Sequence, residues 1–186
     1  NSAHDICAAL WEQGAHVTMI QRSSTHVARS STLMKLALGD LYSEQAIANG
    51  INTNMADMIL ASIPYRIMPD FQIPVYEEIA RHDADFYQAL SNVGFLLDFG
   101  EDGSGIFLKY LRRASGYYID VGASQLIIDG KIKLASGTNI EHINLDSVTL
   151  TNGSQIPADL IVLATGYDSM NSWAAKIISQ EVADKV

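Results

Sequence analysis

Residues 1–25 read NSAHDICAALWEQGAHVTMIQRSST, and the order of signals within them decides the fold class. Ser2 can cap a helix, and Asp5 follows three residues later at the spacing of a capping box. Ala3, Ile6, Cys7 and Leu10 recur at i, i+3, i+4 and i+7, one apolar helical face. Gly14 stands where a helix-ending residue with positive φ is wanted. His16 to Ile20 reads as a short apolar strand, and Gln21-Arg22-Ser23-Ser24-Thr25 as a polar tip with one cation. A helix, a glycine stop, a strand and a basic tip make the second half of a nucleotide-binding βαβ unit.

In the dinucleotide fingerprint G-x-G-x-x-G/A, the last small residue lets the helix pack closely on the sheet. With Ala3 in that role, the first two glycines and the strand before them fall upstream of Asn1. The tip of the following strand carries an acidic residue for the ribose of NAD or a basic one for the extra phosphate of NADP. Arg22 falls there, about 20 residues on. An arginine flanked by serines suits a phosphate monoester, a planar fork of donors beside hydroxyls. The alternative is an ordinary surface arginine after a strand.

The 186 residues suffice for one substantial domain and are too few for two large ones. Hydrophobic residues make up 48% and charged residues 18%, a globular composition. A net charge of −9 argues against nucleic acid as a general partner. The single cysteine, Cys7, excludes an internal disulfide and a multi-cysteine metal site. On the apolar helix face it reads as a buried core residue rather than a reactive thiol. A lone cysteine fits a reducing compartment, and the expected location is cytoplasmic. No apolar run approaches the roughly 18 residues of a membrane span, and no signal peptide is visible. The chain lacks an initial Met and opens at a helix cap, which reads as a fragment.

Downstream, residues 30–48 carry a loose helical pattern interrupted at Gly39, and residues 52–62 a second, with Met55, Met58 and Ile59. Ile63-Pro64 and Met68-Pro69 punctuate a loop, and Pro74 fits the first turn of a longer helix faced by Val75, Ile79, Phe86 and Leu90. His82, Asp83 and Asp85 read as a solvated face rather than a metal site. The acidic, glycine-rich stretch 98–105, DFGEDGSG, lacks the frame of a phosphate loop. Lys109, Arg112 and Arg113 close the helix that follows, where they complement its C-terminus or guide an anionic cofactor. From residue 117 short strands dominate, and alternation at 131–134 and 148–150 predicts antiparallel pairing with one wet face. Leu160 to Ala164 is a continuous apolar run, the pattern of a strand covered on both faces, ending in Thr165-Gly166-Tyr167. The expectation is an α/β, Rossmann-like three-layer domain. Its parallel sheet lacks its first strand and carries a helical insert and a small antiparallel excursion.

Four stretches occur in order: residues 1–7 (NSAHDIC), 17–23 (VTMIQRS), 118–122 (YIDVG) and 163–167 (LATGY). Together they resemble the NADPH-binding region of the class B flavin-dependent monooxygenases, the group of flavin-containing and Baeyer–Villiger monooxygenases. The resemblance implies that residues 1–167 form an NADPH-binding domain incomplete at its start. Residues 168–186 would then begin the return into an FAD domain. It implies NADPH and FAD as cofactors, with Asn1 and Ser2 at the NADPH turn and Arg22 and Ser23 reading the 2′-phosphate. Thr165 and Gly166 would form a loop beside the cofactor, where a missing Cβ permits close approach. The implied reaction reduces FAD with NADPH and inserts one oxygen atom of O₂ into a small-molecule substrate. No catalytic side chain of the family finds a position here, and its F-x-G-x-x-x-H signature and FAD fingerprint are absent. A pyridine-nucleotide:disulfide-type reductase shares the A-T-G-x motif, but no C-x-x-C is present. A non-catalytic nucleotide-binding or truncated module is the remaining alternative. An open sheet edge predicts a homodimer.

Overall fold

The computed structural model describes residues 2–166 and 170–185. The opening unit forms as its pattern demands. Helix α1 (Ser2–Glu12) buries His4 and Cys7. It ends at Gly14, whose φ of +86° only glycine adopts without strain. The Ala15 N–H reaches back to the Leu10 carbonyl (3.1 Å) and the Gly14 N–H to Trp11 (2.9 Å). These are the paired bonds of a Schellman stop. Strand β1 (Thr18–Gln21) follows. Ser2 is itself the first helical residue, so the capping position falls on Asn1, outside the described residues.

A second strand that the sequence pattern missed, β2 (His26–Arg29), follows immediately. It pairs in parallel with β3 (Tyr117–Asp120), bringing Val27 beside Tyr118 and Ala28 beside Ile119. Successive side chains of a strand point to opposite faces. Val27 and Tyr118 accordingly join the core cluster of Cys7, Met19, Phe86, Leu90 and Ile127. Ala28, Tyr117 and Ile119 meet a second cluster built on Leu33, Tyr76, Ile79 and Ile106. The β2–β3 pair is thus covered on both faces.

The remaining strands depart from a single sheet. β1 pairs in parallel with β4 (Lys133–Ser136). The alternation at 131–134 had predicted an antiparallel strand, but alternation reports one wet face and says nothing of direction. β5 (Ile140–Ile143), β6 (Ser147–Leu150) and β7 (Gln155–Pro157) do form the antiparallel excursion. The covered strand expected at Leu160 to Ala164 is overturned. Residues 160–166 join no ladder, and Leu160 and Leu163 are each 71% exposed. Among the described residues no strand flanks them. The architecture is therefore mixed α/β with small parallel and antiparallel sheets.

The insert is helical. α2 (Ser30–Leu33) runs into a wide turn over Met34–Leu38, and α3 (Glu44–Ala48) and α4 (Thr53–Ser62) follow. α5 (Met68–His82) starts a turn and a half earlier than Pro74 predicts, because Pro69 occupies its first turn instead and Pro74 lies inside the helix. α6 (Ala84–Asn92) is separated from it at Asp83. Asp83 is not on a solvated face as expected. It is buried, with Arg29 at 3.6 Å and His82 at 3.1 Å. α7 (Gly105–Arg113) leads to β3, and α8 (Ala123–Ile128) packs against α1. α9 (Met170–Ile177) and α10 (Gln180–Ala183) pack on each other. The boundary expected at residues 167 and 168 falls outside the described residues. No helix among them is long and apolar enough to cross a membrane.

Candidate functional site

The tip of β1 is fixed by a side chain that imitates a strand. The Gln21 amide donates to the Leu96 carbonyl (3.0 Å) and accepts from the Leu96 N–H (2.8 Å). Thr25 bridges Leu97 in parallel, and the Asp98 N–H reaches the Thr25 carbonyl (3.3 Å). These bonds carry the 98–105 loop to the tip that holds Arg22. α7 then begins at Gly105, its basic end turning back at Ala114, whose φ is +49°.

The result is a cleft of about 450 Å³ lined by Arg22, Ser23 and Ser24 together with the 98–105 loop and the end of α7. Four cations line it, and three are matched by the loop's carboxylates. Lys109 Nζ lies 2.6 Å from both Asp98 oxygens. Arg112 donates to Asp102 (2.8 Å) and Arg113 to Glu101. Asp102 also accepts from the Ser104 N–H (3.0 Å), and Asp98 from Gly100 (2.8 Å). The hydrogen bond from Arg112 holds the Asp102 carboxyl well below the usual carboxylate range. Burial pushes Asp98 up, but bonds from Lys109, Gly100 and Ser24 outweigh it and leave the group lowered. Arg22 is exposed and has no carboxylate within ion-pair distance among the described residues.

Of the residues expected to bind cofactor, the cleft gathers Arg22 and Ser23. Asn1 lies outside the described residues, and Ser2, at the start of α1, is exposed and does not line the cleft. Thr165 and Gly166 are exposed beyond the apolar run and do not line it either. Gly166 has φ +77° with open space where a Cβ would stand, so its glycine answers to backbone conformation rather than crowding. The loop and α7 contribute most of the lining. Their charges were visible in sequence, but nothing local signalled that some 75 residues of intervening chain return them to Arg22. Cys7 is buried and burial pushes its thiol up to about 11, the state of an inert core cysteine. Among the described residues no group of three His, Cys, Asp or Glu side chains could hold a metal ion.

The arrangement can hold one small anion between the Arg22 guanidinium and the Ser23 hydroxyl, the Ser24 hydroxyl being bonded to Asp98. No protein-family model matches the chain. A curated relative, the probable indole-3-pyruvate monooxygenase YUCCA8 of Arabidopsis thaliana, is 45% identical over 51 residues. That match covers 27% of this chain and 12% of the relative's length. It is consistent with the monooxygenase resemblance carried by the four sequence stretches.

Proposed function

We propose that the chain forms the NADPH-docking portion of a flavin-dependent monooxygenase, with Arg22 and Ser23 holding the adenosine 2′-phosphate. The observation that carries the reading is the charge pattern of the cleft: its other three cations each face a carboxylate, and Arg22 faces none among the described residues. A guanidinium at a strand tip beside hydroxyls matches a phosphate monoester in shape, charge and donor count. The partial likeness to a plant monooxygenase supports the reaction class.

NADPH supplies hydride to a flavin when both are bound. This chain's own part is to grip one end of the nucleotide. Arg22 neutralises the phosphate, Ser23 offers its hydroxyl, Ser24 ties the tip to Asp98, and the Gln21 amide keeps the tip from moving away from the loop. Asn1 and Ser2 at the NADPH turn, and Thr165-Gly166 as a loop beside the cofactor, belong to the same reading. So do residues 1–167 as the NADPH domain, 168–186 as the return toward an FAD domain, a cytoplasmic location, and O₂ with a small organic molecule as substrates.

The test is binding of NADP against NAD by fluorescence or calorimetry. NADP binds tighter, and Arg22→Ala loses about tenfold or more in NADP affinity with NAD affinity unchanged, the size of a charge-assisted contact. Equal affinity for the two nucleotides, or a variant indifferent to the change, removes Arg22 from this role. No binding of either nucleotide favours the truncated module.

A further inference from the structure

We propose that Glu101 is the selectivity gate of the Arg22 cleft: a phosphate monoester enters by displacing its carboxylate from Arg113, so that Arg22 and Arg113, which line the same cleft, both engage the anion. The inference rests on the NADPH reading above and names a residue that reading does not use.

The three ion pairs of the cleft are not equivalent. Lys109 and Asp98 are the most enclosed, at 13% and 23% side-chain exposure, and Asp98 is also held by the Gly100 N–H. Arg112 and Asp102 follow, and Asp102 takes the Ser104 N–H and hydroxyl besides. Arg113 and Glu101 sit at the rim, 65% and 62% exposed, and Glu101 accepts no backbone N–H among the described residues. Exposed ion pairs contribute little net free energy because water and salt screen them. The inner pairs therefore fix the loop on α7, while the outer one exchanges.

Charge accounting points the same way. With all three carboxylates in place, the cleft's four cations leave one uncompensated positive charge, at Arg22. A phosphate monoester near neutral pH carries close to two negative charges. Release of Arg113 from Glu101 supplies the second cation. The departing carboxylate remains at the rim, where it repels any anion that cannot engage both arginines. A ligand without that phosphate leaves the Glu101–Arg113 pair intact. The gate thus separates a 2′-phosphorylated nucleotide from one with a free ribose hydroxyl.

The experiment measures Kd for NADP, which carries a phosphate monoester, and for NAD, which carries none, in the full chain and its Glu101→Gln, Arg113→Gln and doubly substituted forms, with circular dichroism melts alongside. Both side chains are at the surface, so the melts are expected to coincide. Glu101→Gln tightens NADP binding about two- to fivefold, the range of an exposed ion pair, and leaves NAD unchanged. Arg113→Gln weakens NADP binding and abolishes the gain from Glu101→Gln. An unchanged Kd in Glu101→Gln overturns the gate while wild-type preference for NADP over NAD leaves the NADPH reading standing. A gain that survives in the double variant overturns the exchange with Arg113. Failure of every form to bind NADP overturns both.

Discussion

His26 shows how a single side chain can carry a cost that its neighbours conceal. It is fully buried, between the rings of Tyr76 (5.2 Å between centroids) and Phe99 (5.1 Å), and neither ring nitrogen has a hydrogen-bond partner among the described residues. Burial pushes its pKa down to about 4, with Asp98 opposing the shift and Lys109 adding to it. A base whose folded pKa is depressed binds protons more readily unfolded. Its neutral form is stable above pH 6.5, and stability is lost as pH falls from about 6.5 toward 4. The loss is on the order of 3 kcal/mol for His26 alone. His4, stacked on Tyr118 at 4.1 Å and likewise lowered to about 4 chiefly by burial, adds in the same direction. His26→Phe keeps an aromatic ring in the cage and removes the titration. Its melting temperature is expected to fall between pH 8 and pH 5 only by what His4 and the other titrating groups contribute, while the wild type falls by several degrees more. Parallel pH profiles for the two proteins would show that His26 is not the source. Overpacking by the larger ring shifts both pH values alike, so the difference isolates the proton.

At the scale of elements, the 98–105 loop and α7 form one device, and Gly105 is the joint between them. Gly105 has φ +76°, and a Cβ there would run into the Tyr76 ring on α5. Gly105→Ala combines a strained backbone with overpacking and is expected to destabilise the chain by about 2–4 kcal/mol. Because the loop lines the cleft, nucleotide affinity falls with it. A variant that melts like the wild type and still binds nucleotide would mean that the joint yields more easily than its packing implies. This device marks the limit of what local pattern reveals. The helix at 105–113, the glycine stop at 14 and the turns at Gly130 and Gly153 follow from periodicity and from residues that tolerate positive φ. Arg22 and Ser23 were legible as a strand tip. β2 was not, because His26 to Arg29 is four residues of mixed polarity, three of them buried only by residues distant in sequence, such as Tyr76, Tyr87, Phe99 and Tyr118. Asp83 misled for the same reason, since only the fold brings Arg29 against it. The pairing of the loop's acids with α7 is local, but its placement in one cleft with Arg22 depends on the Gln21 amide and Leu96, 75 residues apart in the chain.

At the scale of the whole molecule, the surface carries an apolar segment that its own fold does not cover. Leu160 and Leu163 are each 71% exposed, Val162 47%, and Leu145 and Ile143 on the neighbouring antiparallel unit are exposed as well. Residues 160–166 have no ladder partners, and β1 is hydrogen-bonded along one edge only among the described residues. An extended apolar run and an open parallel edge are each a template for pairing with another chain. The sequence had promised a strand here, and its composition still favours one; what is missing among the described residues is a neighbour to pair with. The expectation is concentration-dependent self-association, the homodimer that an open edge implies, detected by sedimentation velocity across a dilution series. Leu160→Lys with Leu163→Glu places charges on the run without touching the Arg22 cleft, and shifts the population toward monomer while nucleotide affinity holds. A wild-type chain that remains monomeric at every concentration would mean that the run is not available for pairing. If instead the doubly substituted chain still associates, the contact lies on exposed apolar side chains of the helices, such as Met55, Met58, Phe71, Trp173 and Ile177. The two surfaces are chemically distinct: pairing at the run adds strand signal to the amide I band on association, whereas contact between helices leaves that band unchanged. Infrared spectra recorded across the same dilution series therefore decide which surface closes.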